Sequence, residues 1–472
     1  MRSIQSYGEK WDELLNLKDS LFVFDVKDKN YLFDKYGCNF SEIDAGVKHV
    51  VSCLLHGMSF NDMKKDYIHF FPNDNVNEIL DELFMLYSNG FLTAEDKLSK
   101  IMGSGGGFVS ALCLIMATDC NLRCKYCFAG DGNYNHIRKK MSIDVAEKSV
   151  DFLVRNAGRR KDWALSFFGG VPLLNFKGIK EIVPYAEKIG LKHGKKFSFS
   201  VTTNGTLLNP EMMDFFVEHD FSYIISLDGP REVNDRFRVF PNGSGTYDIV
   251  RAKLKEFVER YPQVQEKITL RGTFTAQTSD ISKSLYHLKQ LGFNNISLEP
   301  CASEDKEFQI NGHNLRRILE EYDKVAKLYL ESIKSGDEFS FFHMHQLFFQ
   351  VAEGAQRTAQ CGAGFGYLTV DPDGTIYLCH RLVGDSRYIM GNIRENVFQN
   401  TLDHRICEIF KRASVNHKPA CKKCWAKYIC GGGCHATAIQ FNDDILQPYT
   451  IECELMKQRI RLGVWVYSQL EG

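Results

Sequence analysis

Ala111-Leu112-Cys113-Leu114-Ile115-Met116-Ala117 leads through two residues into Cys120-Asn121-Leu122-Arg123-Cys124-Lys125-Tyr126-Cys127, and this stretch decides the fold. Seven apolar residues without a break have the length of a strand covered on both faces, as strands of parallel sheets are. The cysteines that follow have CxxxCxxC spacing. Three thiolates on one loop hold three irons of a [4Fe–4S] cube and leave the fourth iron open to a ligand. A zinc loop short of one ligand is the competing reading.

Working outward, residues 108–300 alternate short apolar runs with helical patterns. The strands predicted are Ala111–Ala117, Trp163–Phe168, Phe197–Thr203, Tyr223–Leu227, Ile268–Phe274 and Asn295–Leu298. Ser142 is placed to cap a helix through Leu153, with Ala146, Val150, Leu153 and Val154 on one face. Six such units predict an α/β fold with a parallel sheet and right-handed crossovers, either a partial barrel or a doubly wound sheet. Chemistry in such folds sits at the C-terminal ends of the strands.

Residues 1–98 predict a small domain. Leu21–Val26 reads as a strand, Glu42–Leu55 has a helical pattern, and a second helix, Val76–Asn89, is stopped by Gly90. A generic helical cap and a winged-helix-like peptide-binding domain both suit this pattern. Residues 99–107 read as a linker, because Gly103-Ser104-Gly105-Gly106-Gly107 lacks the Lys-Ser/Thr of a phosphate loop. Residues 301–360 predict a helical bridge. From 361 to 472 the chain turns Gly- and Cys-rich, as in a small domain held by metal.

Composition narrows the function classes. A chain of 472 residues exceeds what one core usually serves, and 44% hydrophobic with 25% charged residues is ordinary for a globular protein. A net charge of −1 gives no electrostatic case for nucleic acid or anionic membrane, and the 35 Phe and 20 Tyr read as core rather than a base-stacking platform. No apolar run reaches transmembrane length and the N-terminus is polar, which predicts a cytoplasmic protein. Fifteen cysteines in such a chain argue for metal ligation rather than disulfides. Cys38, Cys53 and Cys113 read as small hydrophobes. A second constellation, Cys421-x2-Cys424-x5-Cys430-x3-Cys434, is flanked by Cys361, Cys379 and Cys453. Those four taken alone suit a closed zinc site as well as a cluster.

These motifs together resemble the radical S-adenosylmethionine (SAM) superfamily, whose CxxxCxxC loop follows the first strand of a partial (β/α)6 barrel. The resemblance makes Cys120, Cys124 and Cys127 ligands of the catalytic cluster, puts Tyr126 at the family's aromatic position, and sets the backbone near Phe128 against the adenine. Gly169-Gly170-Val171-Pro172 is similar to the GGEP turn, with Val171 in place of Glu. Thr203-Asn204-Gly205 is similar to the TNG element. Ser226-Leu227-Asp228-Gly229-Pro230, with Asp235 and Arg238 beyond, resembles the segment that grips the cofactor's ribose and carboxylate.

Cys361, Cys379, Cys421, Cys424, Cys430, Cys434 and Cys453 together resemble the SPASM domain. By that likeness Cys361, Cys379 and Cys434 hold a first auxiliary cluster, and Cys421, Cys424, Cys430 and Cys453 a second. No cysteine lies in Gly362–Leu378, so the first cluster either keeps an open iron or borrows Cys301 or Cys407. Three [4Fe–4S] clusters, SAM, a 5′-deoxyadenosyl radical and an external one-electron reductant of flavodoxin or ferredoxin type are what the resemblance implies.

Cys379-His380-Arg381-Leu382-Val383-Gly384 resembles maturases of cysteine-rich peptides and of quinohemoprotein amine dehydrogenase rather than the CDxY-like run of formylglycine-forming enzymes. His380 then serves as a base or steers the peptide. The expected activity is formation of Cys thioether (sulfur-to-carbon) crosslinks, of ranthipeptide or six-cysteine-peptide (SCIFF) type. The substrate is a cysteine-containing precursor peptide whose leader docks on residues 1–98. Sactionine or formylglycine formation, and a non-catalytic electron carrier or scaffold, are the alternatives.

Overall fold

The structure, a computed structural model, describes residues 6–100, 109–134, 137–160, 162–364, 366–395 and 404–471. The glycine run Gly103–Gly107 and the side chain of Cys407 lie outside the described residues.

The N-terminal segment opens with the helix Tyr7–Leu14, followed by strands β1 (Leu21–Val26), β2 (Lys29–Asp34) and β3 (Asn39–Ile43), which pair antiparallel in that order. Helices Ala45–Leu55, Phe60–Phe70 and Val76–Ser88 follow. Alternation along the sheet serves two cores. Leu21 and Leu32 pack with Trp11, Leu54 and Leu80, whereas Phe24, Val26, Tyr31 and Phe33 face the other way, into the main core. Covering both faces explains why Leu21–Phe24 is apolar without period-2 polarity, with only Asp25 of β1 exposed. Glu42 is not helical, contrary to expectation: it pairs opposite Tyr31 in β3. The helix begins after Asp44, whose carboxylate accepts the Val47 N–H at 2.8 Å.

The six predicted strands of the central unit form, with ends moved by one or two residues. They are β4 (Ala111–Ala117), β5 (Asp162–Gly169), β6 (Lys196–Thr203), β7 (Ser222–Ser226), β8 (Ile268–Phe274) and β9 (Asn295–Pro300), all parallel and hydrogen-bonded in sequence order. Ser142 caps the helix Ile143–Asn156 as predicted. Strand alternation separates the two faces. Leu165, Phe167, Phe199, Val201, Ile225 and Leu270 are buried in the main core. Their neighbours Ser166, Ser200, Thr202, Ser226 and Thr273 line a cavity.

The sheet does not stop at six strands. β10 (Ser340–Phe341) adds parallel to β9 at one edge. At the other edge β11 (Tyr367–Val370) adds parallel to β4 and continues antiparallel through β12 (Thr375–Tyr377) to β13 (Ile389–Asn392), making ten strands. The C-terminal helix Thr450–Glu471 returns to pack on the helix Gly312–Lys334, where Arg459 Nε donates to the Tyr322 hydroxyl at 2.9 Å. Leu112, Val370, Trp425 and Val466 therefore share one core. Among the described residues no helix is long and apolar enough to cross a membrane.

Trp425 joins the N-terminal sheet to this core. Its ring stacks on Phe22 at 4.7 Å and on Phe24 at 5.5 Å, with Phe33 edge-on at 5.5 Å. Trp425→Ala is expected to cost about 3–5 kcal/mol, the range for deleting a buried large aromatic side chain, and Trp425→Phe clearly less. Chemical denaturation measures the loss, and limited proteolysis should cut first within residues 6–98. Native cutting rates in Trp425→Ala would contradict this docking.

Candidate active site and cluster ligands

The three-cysteine loop is stitched down by its own backbone. The Arg123 N–H donates to Val239 O at 2.7 Å, Lys125 N–H to Phe237 O at 3.1 Å, and Cys127 N–H to Cys124 O at 3.1 Å. The Asn204 side-chain amide donates to Asn121 Oδ1 at 2.9 Å and approaches Cys120 Sγ at 3.7 Å. Asn204 thus ties the end of β6 to the cluster loop. The turn after β5 presses against the same loop: a Cβ on Gly169 would sit 2.4 Å from Ala117 O, and one on Gly170 2.2 Å from Asp119 O. Backbone contacts this close admit only glycine. Val171 faces the hydrophobic core and is fully buried.

Cys120, Cys124 and Cys127 open onto a cavity of about 390 Å³ at the C-terminal ends of the strands. Tyr126, Phe128, Gly169, Gly170, Thr203, Asn204, Ser226, Arg238 and His380 line it as well, so all but one of the residues expected at the cofactor site converge there. Asp228 stands one layer back from the others. It does not reach the cavity wall, because it is 3% exposed and its oxygens are engaged elsewhere. Oδ2 accepts the Tyr126 hydroxyl at 2.5 Å and Oδ1 the Thr273 N–H at 3.0 Å. Arg238 in turn donates to the Tyr126 hydroxyl at 3.0 Å. Asp228 therefore positions two residues that do face the cavity.

His380 lines the same cavity. Its ring packs 4.7 Å from Phe168 and 6.0 Å from Phe128, and its Nδ1 lies 3.0 Å from the Tyr367 hydroxyl. Burial, then the charges of Arg271 and Arg381, push its pKa down to about 3. Arg271, Glu299, Cys301, Tyr367 and Arg381 also line the cavity and were not expected there. Burial pushes the Glu299 carboxyl up, but His343, Arg271 and Arg459 outweigh it and hold it well below the ordinary carboxylate range. For Arg271 the signal was present: a charged residue at the inward register of a strand whose outward residues are apolar.

The other seven cysteines gather as two sets. Burial, followed by Cys434 and Cys361, pushes the Cys379 thiol up to about 12. Burial, followed by Cys430, Cys421 and Cys424, pushes Cys453 up to about 12. Thiols held protonated by burial become ligands only with a metal that supplies the compensating charge. A tetrahedral zinc site, with Zn–S near 2.3 Å, would hold its sulfurs within about 4 Å of one another. Among the described residues, the one set of three ligand atoms all within 4.8 Å is His49, Cys53 and Asp66, and it includes none of these sulfurs. The spacing of these sulfurs is therefore wider than a tetrahedral zinc site requires. Cys421, Cys424, Cys430 and Cys453 line a cavity of about 450 Å³ beside Trp425. Cys301 faces the first cavity with Cys127, packed by Phe237 and Phe308, and is not among the neighbours acting on Cys379.

Residues 114–270 match the model of the radical SAM superfamily, and residues 361–425 match that of the SPASM iron–sulfur cluster-binding domain. The chain carries a radical SAM fold with a SPASM domain. Its cofactors are accordingly [4Fe–4S] clusters and SAM. A cysteine-type anaerobic sulfatase-maturating enzyme of Clostridium novyi is 26% identical over 330 residues, 67% of this chain and 85% of its own length. The radical SAM cyclopropyl synthase TigE of Paramaledivibacter caminithermalis is 24% identical over 462 residues, 91% of each chain. Among solved structures, anSMEcpe with bound AdoMet superposes at a TM-score of 0.65 and 21% identity, covering 77% of this chain and 99% of that one. Streptococcus suis SuiB bound to S-adenosylmethionine gives 0.52 at 16% identity, covering 92% and 98%.

Within this radical SAM core, Asp228→Ala should weaken SAM binding about 10- to 100-fold, the scale of losing hydrogen bonds to a charged group. The iron on the three-cysteine loop should be retained. Calorimetric titration with SAM and an iron assay check both, and unchanged affinity would remove Asp228 from the site.

Proposed function

We propose that this radical SAM enzyme forms thioether crosslinks in a cysteine-containing precursor peptide. The observation that carries the reading is a shared cavity: Cys120, Cys124 and Cys127 line the same cavity as His380 and Arg381, the residues that follow Cys379. When bound, the reduced cluster and SAM supply a 5′-deoxyadenosyl radical that abstracts a substrate hydrogen. Cys120, Cys124 and Cys127 hold that cluster. Gly169, Gly170, Thr203, Asn204, Ser226 and Arg238 orient SAM over it. Phe128, Phe168 and His380 present apolar rings that exclude water from the radical's path.

Thioether chemistry is favoured by ligand count. Among the described residues Cys361, Cys379 and Cys434 supply three sulfurs to the first set, and Cys301 lines the SAM cavity near Cys127; the side chain of Cys407 lies outside the described residues. Cys361, Cys379 and Cys434 would hold a cluster with one iron free of protein ligands, and such a cluster would supply a site for a substrate thiolate. Formylglycine formation is the second reading, favoured by the likeness to sulfatase maturases and by the cavity carboxylate of Glu299.

Anaerobically reconstituted protein should carry about twelve irons, as three [4Fe–4S] clusters require. Changing Cys120, Cys124 and Cys127 together to Ala should abolish 5′-deoxyadenosine formation and leave about eight irons. Thioether formation lightens the peptide by two hydrogens per crosslink and removes one alkylatable thiol each time. An aldehyde-bearing product that has lost its sulfur would establish the second reading instead.

Leader capture is assigned to the N-terminal sheet. Among the described residues the outer edge of β3 has no strand partner, and a free edge admits an added strand. Phe91, exposed, has its carbonyl held by Asn39 at the start of β3, and Met85 on the preceding helix is also exposed. Met85→Asp with Phe91→Asp should weaken precursor binding at least roughly tenfold without loss of iron. Equal affinity, measured by fluorescence anisotropy with labelled leader, would move recognition elsewhere.

A further inference from the structure

Lys418 is fully buried, and its ammonium has no carboxylate partner among the described residues. Its Nζ donates to Gly432 O at 2.7 Å. Gly432 is the middle residue of Gly431-Gly432-Gly433, the bridge between Cys430 of the second auxiliary set and Cys434 of the first. All three glycines have positive φ, at 74°, 88° and 74°, a backbone path that side chains resist. That path presents the Gly432 carbonyl to the lysine. The Lys418 carbonyl accepts the Cys421 N–H at 3.0 Å, so the residue is also fixed to the second set through its backbone. Burial pushes the Lys418 pKa down, opposed by Cys421, Cys430, Cys434 and Cys453, and Lys418 in turn lowers Cys361. Arg357 acts on Cys361 and Cys430 from a less buried position, with Nε donating to Ile429 O at 2.5 Å.

A buried ammonium without an opposing charge is strongly unfavourable and is retained where something nearby is anionic. The thiolate-ligated clusters are the anionic groups here, and each gains one more negative charge on reduction. A cation held between them favours the reduced form of both, because net charge and hydrogen bonding set cluster potentials. Resting on the ligand sets of the proposed function, we propose that Lys418 is the shared counter-charge of the two auxiliary clusters and raises the reduction potential of each. The lysine touches no substrate. It is a positioning residue for charge, and it biases the auxiliary pair toward accepting an electron.

The test compares wild type with Lys418→Arg, Lys418→Gln and Lys418→Met in full-length, reconstituted protein. Iron is counted first, and midpoint potentials are then read by EPR-monitored redox titration. The auxiliary signals are those that persist when Cys120, Cys124 and Cys127 are Ala. Lys418→Met should make reduction of both auxiliary clusters at least about tenfold less favourable, which for a one-electron couple is about 59 mV. Lys418→Gln, which keeps a donor without the charge, should behave like Met, and Lys418→Arg like wild type. Unshifted potentials in the Met variant, or their restoration by Gln, would overturn the proposal. If the Met variant sheds iron, retention in Arg with loss in Gln supports a charge role, and equal loss in Arg shows that the lysine only packs. Wild-type protein with far fewer than twelve irons would instead refute the ligand sets themselves.

Discussion

Strand β11 lies parallel to β4, with Tyr367 opposite Ala111 and Val370 opposite Leu114, and the geometry of the active site follows from that register. β4 runs into the loop bearing Cys120, and β11 turns back through β12 into Cys379. Main-chain hydrogen bonds between two strands that are distant in sequence therefore set a radical-generating cluster site beside an auxiliary one. A slip of one residue would reverse the faces of the joined strand and take His380 and Arg381 off the cavity wall. Tyr367 illustrates the economy of the arrangement: its backbone belongs to the strand pair while its hydroxyl holds His380.

Charge burial is the second organising constraint. Burial and neighbouring cysteines push the Cys379 and Cys453 thiols up, and cations stand close to both cysteine sets. Arg381 bridges two regions. Its backbone N–H approaches Cys379 Sγ at 3.4 Å and its guanidinium Cys434 Sγ at 3.5 Å, while it also sits 5.9 Å over the Phe128 ring at the cavity. Arg238, Asp228 and Tyr126 form a comparable network on the SAM side, satisfied internally and so rigid.

The N-terminal sheet is locked by aromatic packing rather than by the chain that leads from it. Phe22, Phe24 and Phe33 enclose Trp425, which follows the ligand Cys424 directly. Asp96 adds a polar tie, accepting from the Tyr428 hydroxyl and pairing with Lys427 Nζ at 2.5 Å. The N-terminal sheet is thereby tied directly to the segment that carries Cys421, Cys424 and Cys430.

Local sequence determined the cluster loop, the six parallel strands, the capped helix after Ser142 and the cofactor-side turns, because each depends on spacing and periodicity within a few residues. It also determined which cysteines are available. The tertiary structure alone decided that Asp228 stands behind Tyr126, that Cys301 faces the SAM cavity rather than Cys379, and that Arg271, Glu299 and Arg381 share a wall. It alone extended the sheet from six strands to ten, and it placed Lys418 between two cysteine sets. Those outcomes rest on pairings between segments hundreds of residues apart, such as β4 with β11 and Phe22 with Trp425. Strand pairing and ring stacking of that kind leave no periodic trace in either partner, so they exist as information only once the chain is folded.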